Sequence, residues 1–140
     1  MLKKAMTLLL AAVILCSFAN TGHASGPEKS GATARGVLYT YISYTSSSID
    51  ISSSGLATVS ANMGVVPGTD SVRISLYLQR YENGWVSVQH WSDADENVTS
   101  FELSRSAYVS SGYNYRALAY LYAYEGSSTE SATSTATEYF

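Results

Sequence analysis

From Val37 onward, apolar and polar residues alternate in short runs separated by clusters of Gly, Asn, Asp and Ser. That period of two predicts strands, and no stretch carries the three-to-four spacing of a helix. The first runs cover residues 38–44 and 49–52, followed by 55–63, which sets Ala57, Val59, Ala61 and Met63 on one face. After Pro67-Gly68 comes the strongest run, 71–81, in which Val72, Ile74, Leu76 and Leu78 alternate with Arg73, Ser75, Tyr77 and Gln79, one buried face and one wet. Asn83-Gly84 supplies the two positive-φ positions of a hairpin turn, and 85–91 is the return strand. The acidic segment 93–97 reads as a loop. Beyond it, 98–103 and the long Tyr- and Ala-rich 112–124 are strands, and 127–137 closes the domain as a Thr-rich edge that limits aggregation. The pattern predicts an all-β antiparallel sandwich of seven to eight strands over residues 37–140.

Composition adjusts this picture at the front of the chain. At 140 residues there is room for one ordinary domain. Residues 1–24 have the parts of a secretory signal peptide: Lys3 and Lys4, an uncharged apolar stretch over 5–18 too short to span a bilayer, and small residues at Gly22-His23-Ala24. Cleavage is expected after Ala24, with Ala19 as the alternative. Cys16 follows the bulky Leu15, which does not suit lipoprotein processing. Residues 25–36, small, polar and broken by Gly and Pro, read as a flexible leader. Signal removal takes away Cys16 and His23, so the remaining chain has no Cys, His90 as its one His, and no route to a disulfide. Signal removal also takes Lys3 and Lys4, leaving six Lys/Arg against eleven Asp/Glu, and this acidic balance disfavours a nucleic-acid partner, whose phosphates require a basic face. A secreted, extracellular protein without a membrane anchor is expected.

Two stretches carry a resemblance. Val109-Ser110-Ser111-Gly112-Tyr113-Asn114-Tyr115-Arg116-Ala117-Leu118-Ala119 resembles the penultimate-strand motif of fibronectin type III and related immunoglobulin-like domains. The resemblance implies an immunoglobulin-like sandwich in which Tyr115 closes a corner by bonding its hydroxyl to upstream backbone. The segment 41–52, the Asn-Gly-Trp hairpin, Trp91-Ser92 and the Gly-Tyr-Asn-Tyr-Arg strand with its Thr/Ser-rich tail are similar to a group of small exported proteins of Gram-positive bacteria, a domain family of unknown function. That similarity implies export and a β domain, and no catalytic residue.

With Asn83 and Gly84 at the centre of the turn, Glu82 faces Trp85, and counting outward pairs Tyr81 with Val86, Gln79 with Val88, Tyr77 with His90 and Leu76 with Trp91. Paired residues share a face. Leu76 and Trp91 therefore go inward, while Tyr77, Tyr81, Val86, Val88 and His90 go outward. On the long strand Tyr115, Ala117, Ala119 and Leu121 go inward, leaving Arg116, Leu118, Tyr120, Tyr122 and Tyr124 outward. In an immunoglobulin-like order the two strands adjoin and build one Tyr-rich face, which is either a binding site or a layer covered by the run 37–44. Tyr, Ser, Asn and Arg together are paratope chemistry, and flat rings stack on sugars. Tyr77, Tyr81, His90, Arg116, Tyr120, Tyr122 and Tyr124 are therefore the candidate ligand contacts, directed at a cell-envelope carbohydrate or protein.

Catalytic and metal chemistry is thinly represented. A Ser/His/Asp device has only His90 to draw on, with no nucleophile elbow around any serine. One His does not build the usual zinc site. Asp93, Asp95 and Asn97 offer oxygens at alternate positions, but Val98 replaces the turn Gly and Ser104 the closing Glu of an EF-hand, leaving at most a loose calcium site. Asn97-Val98-Thr99 matches a glycosylation sequon and reads as coincidence in a bacterial chain. The expectation is a non-enzymatic binding module without a cofactor. The rivals are a self-associating matrix protein and, third, a secreted toxin or bacteriocin-like protein, for which the basic amphipathic helix is missing.

Overall fold

The computed structural model describes residues 39–140; the signal expected over 1–24 and the leader over 25–36 lie outside them. Seven strands form: β1 (Ile42–Ile51), β2 (Leu56–Val65), β3 (Ser71–Tyr81), β4 (Trp85–Glu96), β5 (Ser100–Tyr108), β6 (Asn114–Glu125) and β7 (Ser128–Tyr139). They make two antiparallel sheets, one of three strands in the order β1-β2-β5 and one of four in the order β4-β3-β6-β7. Alternation decides the inside. Ala57, Val59, Ala61 and Met63 of β2 face Val72, Ile74, Leu76 and Leu78 of β3 and Ala117, Ala119, Leu121 and Ala123 of β6, all buried in one core. The alanines of β6 allow the sheets to approach closely over the branched and long side chains opposite.

Three expectations are corrected. The runs at 38–44 and 49–52 are parts of one strand, β1, because Ser46, Ser47 and Ser48 continue the ladder to β2. The apolar pattern hid this, since the inward position is a serine. Ser47 is buried, and its hydroxyl is satisfied by the Ser134 hydroxyl of β7 at 2.8 Å. The acidic segment 93–97 is not a loop: β4 runs to Glu96 along Ser71 of β3, and the chain turns at Asn97 with φ 55°. The strand expected at 98–103 is shifted, since β5 starts at Ser100 and its serines 104 and 106 pair with Ser60 and Thr58.

β1 and β7 are the neighbouring edges of the two sheets, and side chains rather than a backbone ladder join them. The Glu130 carboxylate of β7 accepts the amides of Thr40 at 2.6 Å and of Tyr41 and Ile42 at 2.7 Å. Ser134 bonds Ser47 mid-strand, and the Glu138 carboxylate accepts the Ile51 amide at 3.1 Å. These are i, i+4 and i+8 positions on the inward side of β7, so one strand face closes the seam at both ends. Partial burial alone pushes the Glu130 carboxyl up, but its three amide donors outweigh that and hold it below the ordinary glutamate value.

Candidate functional site: the outer face of the four-stranded sheet

Gln79 organises the centre of this face. Its amide nitrogen donates to the Ser87 hydroxyl on β4 at 3.1 Å, and its oxygen accepts Nε–H of Arg116 on β6 at 2.7 Å. The Arg116 guanidinium lies over the Trp85 ring, 4.4 Å from its centroid, and Tyr81 packs edge-on to Trp85 at 5.3 Å. Further along, Tyr77 stacks on His90 at 4.2 Å and meets Tyr120 edge-to-face at 5.9 Å, while Tyr122 and Tyr124 stack at 6.4 Å. Leu118, also outward, is buried. β7 extends the surface with Thr137, Thr135, Thr133, Ser131 and Thr129, each paired with an outward residue of β6. A shallow polar depression lined by Arg73, Ala94, Asp95, Glu96 and Tyr124 lies at the far end.

The structure thus brings Tyr77, Tyr81, His90, Arg116, Tyr120, Tyr122 and Tyr124 to one face. Tyr81 and Tyr120 are 49% and 39% exposed, so their rings are open to a partner while the sheet holds their bases. The described part of the run proposed as a cover, residues 39–44, joins the other sheet instead: Val66 donates to the Tyr41 carbonyl and Glu130 caps the neighbouring amides.

The hairpin register holds where Tyr77 meets His90 and Leu76 meets Trp91, and fails nearer the turn. Tyr81 pairs with Trp85 and Gln79 with Ser87, and a bulge between Leu78 and Gln79 skips Val88. Asn83 (φ 56°) and Gly84 (φ 156°) both take positive φ, but in a three-residue loop with Glu82 rather than at the centre of a two-residue turn. One extra residue exchanges faces. Val86, expected outward, pairs with Arg80 on the other side, and Trp85 comes outward to meet Arg116. Trp85 and Gln79 are the site residues the pattern missed; a Glu-Asn-Gly loop read as a three-residue turn would have exposed the first.

Below the face, Tyr115 is fully buried and its hydroxyl donates to the Ser110 carbonyl at 2.7 Å. Trp91 packs inward at the margin of the core. Arg80 lies over the Tyr113 ring at 4.6 Å and pairs with Glu82. Partial burial opposes its charge, but Tyr115 and Glu82 outweigh that and raise the guanidinium above its ordinary value. The residues named for a loose calcium site have protein partners here. The Asp93 carboxylate accepts the Ala94 amide at 3.0 Å and faces Arg105 at 3.4 Å, Asp95 accepts the Glu96 amide at 2.8 Å, and Asn97 occupies the turn. Among the described residues no three His, Cys, Asp or Glu side chains gather as a metal site. The chain matches no family model, no curated protein and no solved structure.

Proposed function

We propose that this is an exported, extracellular, non-enzymatic binding module of immunoglobulin-like architecture, which contacts a cell-envelope carbohydrate through the outer face of its four-stranded sheet. Export rests on the signal features of residues 1–24. Two features favour the immunoglobulin-like assignment. The order β1-β2-β5 over β4-β3-β6-β7 differs from the constant-type arrangement only in that the fourth strand pairs with the third. The Tyr115 to Ser110 bond has the form of a tyrosine corner.

The observation that carries the binding reading is the continuous ring-and-hydroxyl surface, half-exposed and held rigid by cross-strand contacts. Tyrosines fixed on a sheet lose little side-chain entropy on binding, and each offers a flat apolar ring with a polar tip. Their Ser/Thr surroundings supply the hydroxyl partners a sugar needs. The test is sedimentation of the protein with and without purified cell-wall polysaccharide, comparing wild type with the Tyr120→Ser/Tyr122→Ser double variant. Loss of the two rings should weaken binding by about tenfold or more, equivalent to about 1.4 kcal/mol; a folded double variant that binds as well as wild type overturns the assignment.

A further inference from the structure

Arg116 is a cation with no ion pair among the described residues. The other guanidiniums with ion pairs, Arg80 and Arg105, face Glu82 and Asp93. Among the described residues Arg116 faces no carboxylate; its Nε–H goes to the neutral oxygen of Gln79, and its plane is fixed against Trp85. With plane and Nε both set, the terminal nitrogens form a pre-oriented fork on the outward side of a central strand, the geometry that matches a carboxylate bidentately.

The distribution of charge on the sheet points the same way. The chain is acidic, with a formal charge of −3, yet around Arg116 its acids turn away from this face, and those near it, Asp95 and Glu96, lie at the Arg73 end. Asp93 and Asp95 pair with the inward Ile74 and Val72, while Glu130 and Glu138 turn inward to hold β1. Among the paired strand positions of the outer face, Glu96 is the acid, at the far end, against Arg73 and Arg116. Arg73 and Gln79, the partner of Arg116, are separated by about 20 Å along β3 at the usual strand rise. Tyr77 and Tyr120 lie between the two cations, and Tyr122 stands directly opposite Arg73. An extended chain following the strands would meet a cation, then rings, then a second cation.

We propose that the outer face binds a carboxylate-bearing glycan, with Arg116 seating a carboxylate and Arg73 meeting a second one further along the same chain. This rests on the glycan-binding reading of the face and adds the charge class of the ligand. The experiment titrates the full chain with polygalacturonate and with its methyl ester, which keeps the sugar backbone and removes the charge, and with sugar-free polyphosphate.

Wild type should bind the acid form at least tenfold more tightly than the ester, and more tightly than polyphosphate. Arg116→Ala should remove that preference, so that acid and ester bind the variant alike, and Arg116→Lys, which keeps charge without the fork, should restore it only in part. Should Arg116→Ala not fold, Gln79→Ala, which frees the guanidinium from its orienting bond, should lower the preference several-fold. Equal binding of acid and ester overturns the charge inference and leaves the glycan reading standing; binding of neither overturns both. Polyphosphate binding as tight as the acid glycan, with Arg116→Lys equal to wild type, also overturns it, since any basic patch would behave so.

Discussion

Tyr115 shows how one atom can decide whether a residue is tolerated in the core. The ring is fully buried among the alanines of β6 and the far end of β3, a position that suits a phenylalanine equally well except for the hydroxyl. That hydroxyl has an assigned partner, the Ser110 carbonyl five residues upstream. Tyr115→Phe leaves the carbonyl without its donor and should cost about 1 kcal/mol, the usual net value of such a bond. A thermal melt should then fall by roughly 4–8 °C for a domain of this size; an unchanged midpoint would show that the corner bond contributes nothing. The inward direction of Tyr115 was legible because its alternation with Ala117 and Ala119 admits one phase. The partners of Arg116 were not, because Gln79 is 37 residues away and Trp85 faces outward only by virtue of an irregular ladder.

At the scale of the element, β1 is the instructive case. An edge strand whose middle reads Ser46-Ser47-Ser48 has little apolar burial to hold it, which is why its continuity escaped the hydrophobic pattern. Beyond its ladder to β2, its attachment to the opposite sheet comes from carboxylates at the two ends of the β7 seam. Because folding lowers the Glu130 carboxyl below its ordinary value, about 4.3 for a free glutamate, the stabilisation is complete above that value and is lost as pH falls through the lowered one. Glu130→Gln should cost about 1–2 kcal/mol at neutral pH, since it replaces charge-assisted bonds with neutral ones. Its denaturation midpoint in urea should also drop less than that of wild type between pH 7 and acid. A variant whose acid sensitivity equals that of wild type would show that Glu130 does not hold the edge. β4 carries the complementary lesson. Its length was underestimated because Asp93, Asp95 and Glu96 look like a loop in sequence, whereas an exposed strand end accommodates charge freely and gains protection from it.

For the whole molecule the question is what the free edges permit. β4 and β5 lie at the outer margins of their sheets, and β4 shows exposed Val86 and Val88, which is the feature a self-assembling protein would use. The same strand, however, is bent by its bulge beside Val88 and ends in three acids, two devices that discourage a second copy from pairing along it. The seam between β1 and β7 is already occupied by side chains. The protein should therefore sediment as a monomer from micromolar to millimolar concentration in the absence of polysaccharide; growth with concentration alone would favour the matrix reading over the binding module. The two-layer architecture and the composition of the outer face were legible because alternation and pairing are local. The seam was not, since it depends on residues that meet only after the sheets are assembled; the face exchange near the turn was not, since it rests on a three-residue loop and a bulge that the alternation does not mark.

The bulge in β4 has an optical consequence. Trp85 and Trp91 stand an even number of residues apart, and on a regular strand both would look the same way; the skipped Val88 turns one outward under Arg116 and the other inward against the core. The chain's two indoles therefore emit from opposite sides of one sheet, one quenched or shifted by whatever covers the outer face and the other by water entering the interior, so that occupancy and unfolding can be followed as separate colours in a single unlabelled sample.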